Sequence, residues 1–347
     1  MPRCFGLEMA RCGWTIAEHL ACVKRGENLL ITVDSAGDFQ VAEEVAKAAE
    51  SLGAKVCLAW HSTPGGFGKV ADNGLPSAVK GAIRDTDVWV ELNDQWLMFS
   101  TSWEWAMGNG RTRYLFMGGL RTDQVVRCLS RLDVPLQRGF QDALVKRIRG
   151  AKTMRFTTPR GTDVTFRNDP YRPVANEVSA DTPGPHYLIG QIGWAPEESS
   201  INGKVVLDCS FYGGGEADLG LLKEPVELVI DKGNITKVRG GEEAGFITEW
   251  LRSFGDGGMY TVAHVSFGFL PHAKPSGVCT EDERTWGINM WGFGYQGPMY
   301  SGGEPRVAAT HADGIGLDTS VWMDGEMIMR EGVMVDPELA EMERRLR

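Results

Sequence analysis

The chain is short of the features that announce several large classes of protein. No stretch approaches the ~18 consecutive apolar residues needed to span a bilayer. The amino terminus has no basic start, apolar core or small-residue cleavage site, so no signal peptide is expected. Positive charge is in deficit. Lysine and arginine total 36 against 46 aspartates and glutamates, a formal net charge of -10 over 347 residues. Nucleic-acid binders and proteins of anionic membrane surfaces carry the opposite balance or a concentrated basic stripe, and neither is present. Cysteine is sparse and unpatterned. The seven, Cys4, Cys12, Cys22, Cys57, Cys128, Cys209 and Cys279, are odd in number and include no Cys-x-x-Cys. That argues against a thiolate zinc site and a disulfide framework, and for reduced thiols in a cytoplasm. Internal repeats, low-complexity tracts and long linkers are also missing.

What is present is an ordinary globular composition, 42% hydrophobic and 24% charged, in a chain long enough for two domains. Glycine (44) and tryptophan (11) stand out. The glycines cluster late, which predicts many tight turns and close backbone approaches there. The first part alternates strands and helices: a buried strand over Asn28–Asp34, a helix over Phe39–Leu52 ended by Gly53, a strand over Lys55–Trp60. A helix over Leu75–Arg84, a strand over Asp87–Leu92, a short helix over Trp103–Met107, a strand over Arg113–Met117 and a helix over Thr122–Leu132 follow. Alternation at this spacing implies a parallel sheet with helices on its faces. Near Gly150 the character changes to short strands separated by Gly, Asn, Asp and Pro, including a hairpin pairing Val226–Ile230 with Ile235–Arg239. One helix is expected over Glu242–Phe254 and a charged one from Pro337. The fold expected is an α/β N-terminal domain with a parallel sheet, residues 1–148, and an α+β C-terminal domain rich in short strands, residues 149–347.

Of the six histidines, His311 is the most informative. It stands in Ala309-Thr310-His311-Ala312-Asp313-Gly314, and on a strand a His-x-Asp pair puts both side chains on one face. His264, in Thr261-Val262-Ala263-His264-Val265-Ser266, sits within an apolar strand. Each has a plain alternative, a hydrogen-bonded structural histidine. Taken together, His264, His311 and Asp313 are two imidazoles and one carboxylate, the ligand set that leaves three positions open on non-heme iron(II). His272, beside Pro271, reads as a surface loop residue, and His19 and His61 as structural.

Two turns carry a family resemblance. Thr157-Thr158-Pro159-Arg160-Gly161-Thr162-Asp163-Val164-Thr165-Phe166 and Trp194-Ala195-Pro196-Glu197-Glu198-Ser199-Ser200-Ile201-Asn202-Gly203 resemble motifs of the aminopeptidase T metallopeptidases. Asp282-Glu283-Arg284-Thr285-Trp286-Gly287 and the His-x-Asp close follow in the same order, so the likeness covers roughly residues 150–330. The peptidases hold two metals. Here a ligand glutamate falls on Gln191, a second falls on His264, and a ligand histidine falls near Met290. An amide and a thioether are poor substitutes in a hard dinuclear site.

The altered pattern resembles the 2,5-dihydroxypyridine 5,6-dioxygenase branch of this superfamily, whose Ser-His-x-Gly-Trp-Gly-Leu-x-Pro stretch is similar to Ala263-His264-Val265-Ser266-Phe267-Gly268-Phe269-Leu270-Pro271. The resemblance implies mononuclear Fe(II) on His264, His311 and Asp313, and dioxygen-dependent opening of a hydroxylated aromatic or N-heteroaromatic ring. It implies Glu177 and His186 as the acid/base pair and Arg284 beside the substrate. A pocket histidine of that family falls near Phe99 or Ser100, and Trp96, Trp103 and Trp105 crowd the same loop, as an aromatic wall or as ordinary packing. The expected partners are a small aromatic substrate and dioxygen, in a cytoplasmic homo-oligomer. A single-zinc aminopeptidase or amidohydrolase is the alternative, and a non-catalytic binding protein on the same fold is a third reading.

Overall fold

The computed structural model describes residues 5–347, so Cys4 lies outside the described residues. Contacts divide the chain into two units, residues 1–134 with 177–189, and residues 135–176 with 190–347.

The first unit is built on five parallel strands: β1 (Asn28–Asp34), β2 (Lys55–His61), β3 (Val88–Glu91), β4 (Arg113–Phe116) and β5 (Gly184–Tyr187). Their order is β2-β1-β3-β4-β5. The alternation read from the sequence is reproduced with ends shifted by one to three residues, the largest shift at the helix expected to reach Leu132, which ends at Leu129. Asp38 caps the helix Phe39–Ser51 by accepting from the Gln40 N–H, and Ser100 caps Thr101–Gly108 through the Trp103 N–H. β5 was not expected. Its Gly-Pro-His-Tyr sequence has no strand pattern, and it pairs with β4 at the sheet edge, where a proline costs no ladder hydrogen bond.

The second unit begins with a helix the sequence reading missed, Val134–Gly150. Pro135 reads as a stop, but it is the second residue of the helix, where its absent N–H has no intrahelical partner to lose. Phe140, Leu144 and Ile148 of this helix are buried in the second unit's core. The division therefore falls at Pro135, ahead of residue 149, and residues 177–189 return to the first unit.

Two antiparallel sheets make up most of the second unit. An eight-stranded sheet contains Thr153–Thr157, Asp163–Arg167, Asn202–Leu207 and the hairpin Val226–Asp231/Asn234–Arg239. Lys232 and Gly233 turn that hairpin, both at positive φ (46° and 77°), as a two-residue primed turn requires. The seven-stranded sheet contains β6 (Gln191–Trp194), β7 (Ser210–Tyr212), β8 (Val262–Gly268), β9 (Ile288–Gln296) and β10 (Arg306–Gly316), running β7-β10-β9-β8-β6 through its middle. Its inner face meets the other sheet through aromatic side chains. Phe156 lies 5.1 Å from Phe267, and Phe166 lies 6.1 Å from Trp291, ring centre to ring centre. The helices Glu242–Ser253 and Pro337–Leu346 occur as the sequence predicts.

Candidate metal centre

Strand alternation places the candidate ligands. His311 and Asp313 are two residues apart on β10, so both project from one face. His264 lies on β8, two strands away. β9 runs between them and contributes glycine at the critical register: Gly292 is opposite both His264 and Asp313, and Gly294 is opposite His311. With no side chains there, imidazoles and carboxylate reach across the middle strand and meet. His264 Nε2 is 3.2 Å from His311 Nε2 and 3.4 Å from Asp313 Oδ1, and His311 Nε2 is 3.2 Å from Asp313 Oδ1. Among the described residues this is the one group of three with metal-ligating geometry.

The other ring nitrogens are engaged by the protein. His311 Nδ1 is 2.7 Å from the Tyr295 carbonyl, which only accepts, so Nδ1 holds the proton and Nε2 presents its lone pair inward. His264 Nδ1 is 3.2 Å from the Ser266 hydroxyl, which lies two residues along the same strand. Outer contacts of this kind fix tautomer and ring orientation at metal sites. Burial lowers the basicity of His264 and favours its neutral form. For His311 burial acts downward too, but the Asp313 charge and the Tyr295 carbonyl outweigh it and the net shift is upward. Asp313 is held ionised well below the usual carboxylate range, since its imidazole neighbours outweigh the burial that opposes ionisation. Two imidazole lone pairs and one carboxylate, mutually 3.2 to 3.4 Å apart, fit one face of a single ion whose donors stand about 2.1 Å away.

Gln191 and Met290, where the resemblance would put further ligands, are engaged with each other and with Arg284 instead. Gln191 Oε1 accepts from Arg284 at 3.1 Å, and its Nε2 lies 3.8 Å from Met290 Sδ. Arg284 is 1% exposed and also donates to Glu283 at 2.8 Å and to the Thr280 carbonyl at 3.1 Å. A buried guanidinium here repels a second cation. Burial raises the Glu283 carboxyl above its ordinary range, and Arg284 opposes that shift.

The remaining predicted residues lie in the first unit. Glu177 is buried and accepts from the Tyr187 N–H at 3.1 Å. His186 is on β5, half-exposed, with Nε2 2.8 Å from the Thr182 carbonyl. The tryptophans after β3 are packing residues in part: Trp96 meets Phe116 at 4.8 Å and Trp103 meets Phe99 at 5.0 Å, while Trp105 is 41% exposed under the Arg84 guanidinium. His272 is exposed, as expected. Sequence reasoning missed Ser266, although its spacing from His264 is the same His-x-polar signal that marked Asp313. It also missed Gly292, which makes room for His264 through strand register, and Tyr295, whose carbonyl meets His311 Nδ1.

A parallel-sheet unit and an antiparallel unit, the latter carrying a two-histidine, one-carboxylate cluster able to hold a metal ion, place the chain in the aminopeptidase T fold. The profile of the 2,5-dihydroxypyridine 5,6-dioxygenase family matches residues 14–336, and the chain belongs to that family. A curated 2,5-dihydroxypyridine 5,6-dioxygenase of Pseudomonas putida KT2440 is 25% identical over 205 residues, 55% of this chain. The aligned part spans about half (56%) of that relative's length. Two solved structures share the fold. The 2,5-dihydroxypyridine dioxygenase from Pseudomonas putida KT2440 aligns with TM-score 0.76 at 19% identity, over 97% of this chain and 100% of its own. AmpT from Thermus thermophilus aligns with TM-score 0.66 at 14% identity, over 96% and 100%.

Proposed function

We propose that this chain is a mononuclear Fe(II)-dependent ring-cleaving dioxygenase acting on a hydroxylated N-heteroaromatic ring such as 2,5-dihydroxypyridine. The observation that carries the reading is the convergence of His264 Nε2, His311 Nε2 and Asp313 Oδ1 within 3.4 Å of one another, in a chain of this family. Iron(II) held there supplies the one-electron chemistry that lets a closed-shell ring react with triplet dioxygen.

The protein's own residues supply position and proton handling. Ser266 and the Tyr295 carbonyl keep both imidazoles aimed inward. Arg284, pinned by Glu283 and Gln191, offers a fixed positive charge for an anionic ring oxygen. Glu177 and His186 are the proton acceptors for a ring hydroxyl. In neutral His186, Nε2 keeps its hydrogen for the Thr182 carbonyl, so Nδ1 is the basic atom. None of the six described cysteines is in a disulfide, which supports a reducing, cytoplasmic setting. No helix among the described residues is long and apolar enough to cross a membrane.

The deciding experiment is oxygen uptake by protein loaded anaerobically with Fe(II), using 2,5-dihydroxypyridine and carbocyclic hydroquinones. Stoichiometric uptake with loss of ring absorbance is expected, and it disappears in His264→Ala and Asp313→Ala. Zinc-dependent, oxygen-independent hydrolysis of a peptide or amide would overturn the proposal in favour of the peptidase reading.

A further inference from the structure

Tyr300 belongs to the connection between β9 and β10, residues 297–305. That connection folds back over the sheet. Its single helical turn, Pro298–Ser301, lays the Tyr300 ring on the His264 imidazole, with centroids 4.2 Å apart and planes 23° from parallel. The same ring reaches over β6. A Cβ built on Gly193 would stand 3.0 Å from Tyr300 Cε1 and 3.1 Å from its hydroxyl. The atom nearest to that Cβ is the Ser266 hydroxyl at 2.6 Å, so glycine at 193 makes room for Ser266 first and for the Tyr300 ring beside it. The connection is braced from within: the Tyr300 and Ser301 N–H groups donate to the Gly297 carbonyl at 3.0 and 3.1 Å, and the Gly302 N–H, at φ 74°, donates to the Pro298 carbonyl at 2.9 Å.

Each contact on His264 restrains a different motion. The Ser266 hydroxyl holds the ring edge at Nδ1, but a single hydrogen bond leaves the ring free to tilt about that edge. The close approach of the Gly292 backbone blocks tilting in one direction. A near-parallel aromatic ring resists it more broadly, because tilting sacrifices the stacked contact. An imidazole binds metal through one in-plane lone pair, so tilt directly misaims Nε2.

We infer that Tyr300 is a positioning residue for the metal centre, clamping the His264 ring in the plane from which Nε2 meets His311 Nε2 and Asp313 Oδ1. The inference rests on the reading of that cluster as a metal site. The connection delivers the clamp from the entrance to β10, the strand that carries both His311 and Asp313. The order of the two strands and the length of their connection thereby couple all three ligands.

The test is Co(II) titration of metal-free protein, followed by visible absorption, for wild type, Tyr300→Phe, Tyr300→Leu and Tyr300→Ala. Thermal unfolding of each metal-free protein is measured beside it. The Phe variant keeps the stack and is expected to retain wild-type affinity and band shape. Leu and Ala are expected to lose about 10- to 100-fold in Co(II) affinity, the usual cost of losing an outer-shell support, with altered bands and unchanged Tm. Wild-type affinity and spectrum in both Leu and Ala would overturn the inference while leaving the metal site intact. An equal loss in Phe would also overturn it, since the hydroxyl and not the stack would then be responsible. Should wild type and His264→Ala prove equally unable to bind Co(II), the metal reading itself falls, and the clamp with it. The Leu variant preserves apolar bulk and keeps the comparison open if Ala unfolds.

Discussion

Gly292 and His264 are direct cross-strand partners, and the imidazole lies where a side chain at 292 would project. The imidazole therefore owes its position to a missing Cβ on the neighbouring strand. Gly292→Ala is expected to push the His264 ring off the shared point and weaken metal binding by at least tenfold. Overpacking adds about 1–3 kcal/mol of destabilisation. Metal titration with parallel urea unfolding checks both, and undiminished metal affinity would show that the ring has room to move.

The Arg284–Gln191–Met290 contacts predict a one-metal protein. Gln191→Glu places a carboxylate against a buried guanidinium, and the expected product is an ion pair with no second metal ligated. Metal content after anaerobic loading is expected to stay at one ion per chain. Two ions per chain in this variant would show that a dinuclear site persists.

Glu177 and His186 are expected to act on protons without holding metal. Glu177→Gln and His186→Asn should each lower kcat by about 10²- to 10⁴-fold while leaving metal content at the wild-type level. Loss of metal with loss of rate would reassign them to the metal site. An unchanged rate would remove them from the reaction.

Glu91 gives the first unit a pH-dependent stability. It is fully buried, and burial raises its carboxyl from 4.5 to about 7, although Tyr114 and the Leu97 N–H, both at 2.5 Å, pull the other way. The folded state thus binds a proton more tightly than the unfolded state. Its contribution is fully present below about pH 4.5 and is lost as pH rises through about 7, a change of roughly 3 kcal/mol at most. Denaturant unfolding between pH 5 and pH 8 is expected to show stability falling with pH, and Glu91→Gln is expected to flatten that slope. A steeper slope in the Gln variant would place the titration elsewhere.

Much of the first unit was legible in the sequence because its strands are continuous apolar runs and its helices have clear caps and stops. Leu29 to Val33 can only be a buried strand, and Gly53 ends the preceding helix by local backbone preference. β5 escaped because a four-residue edge strand containing proline is held by pairing with β4, not by its own propensity. The helix starting at Val134 escaped because proline at a helix start and proline at a helix end look alike in one dimension.

For the candidate metal centre, the sequence by itself determined that His311 and Asp313 share a face, since a strand repeats every two residues. The same rule puts Ser266 on the face of His264, but only the structure showed its hydroxyl at His264 Nδ1. Only the tertiary structure decided that His264 joins them, because that depends on β8 and β10 flanking one strand in a register that sets Gly292 against both His264 and Asp313. Tyr300 depends on a further step, a loop folding back from β9 over β8 and β6. Periodicity is a property of local backbone geometry and can be read along the chain. Register and loop return are set by the packing of distant segments, so they were fixed only when the sheet assembled.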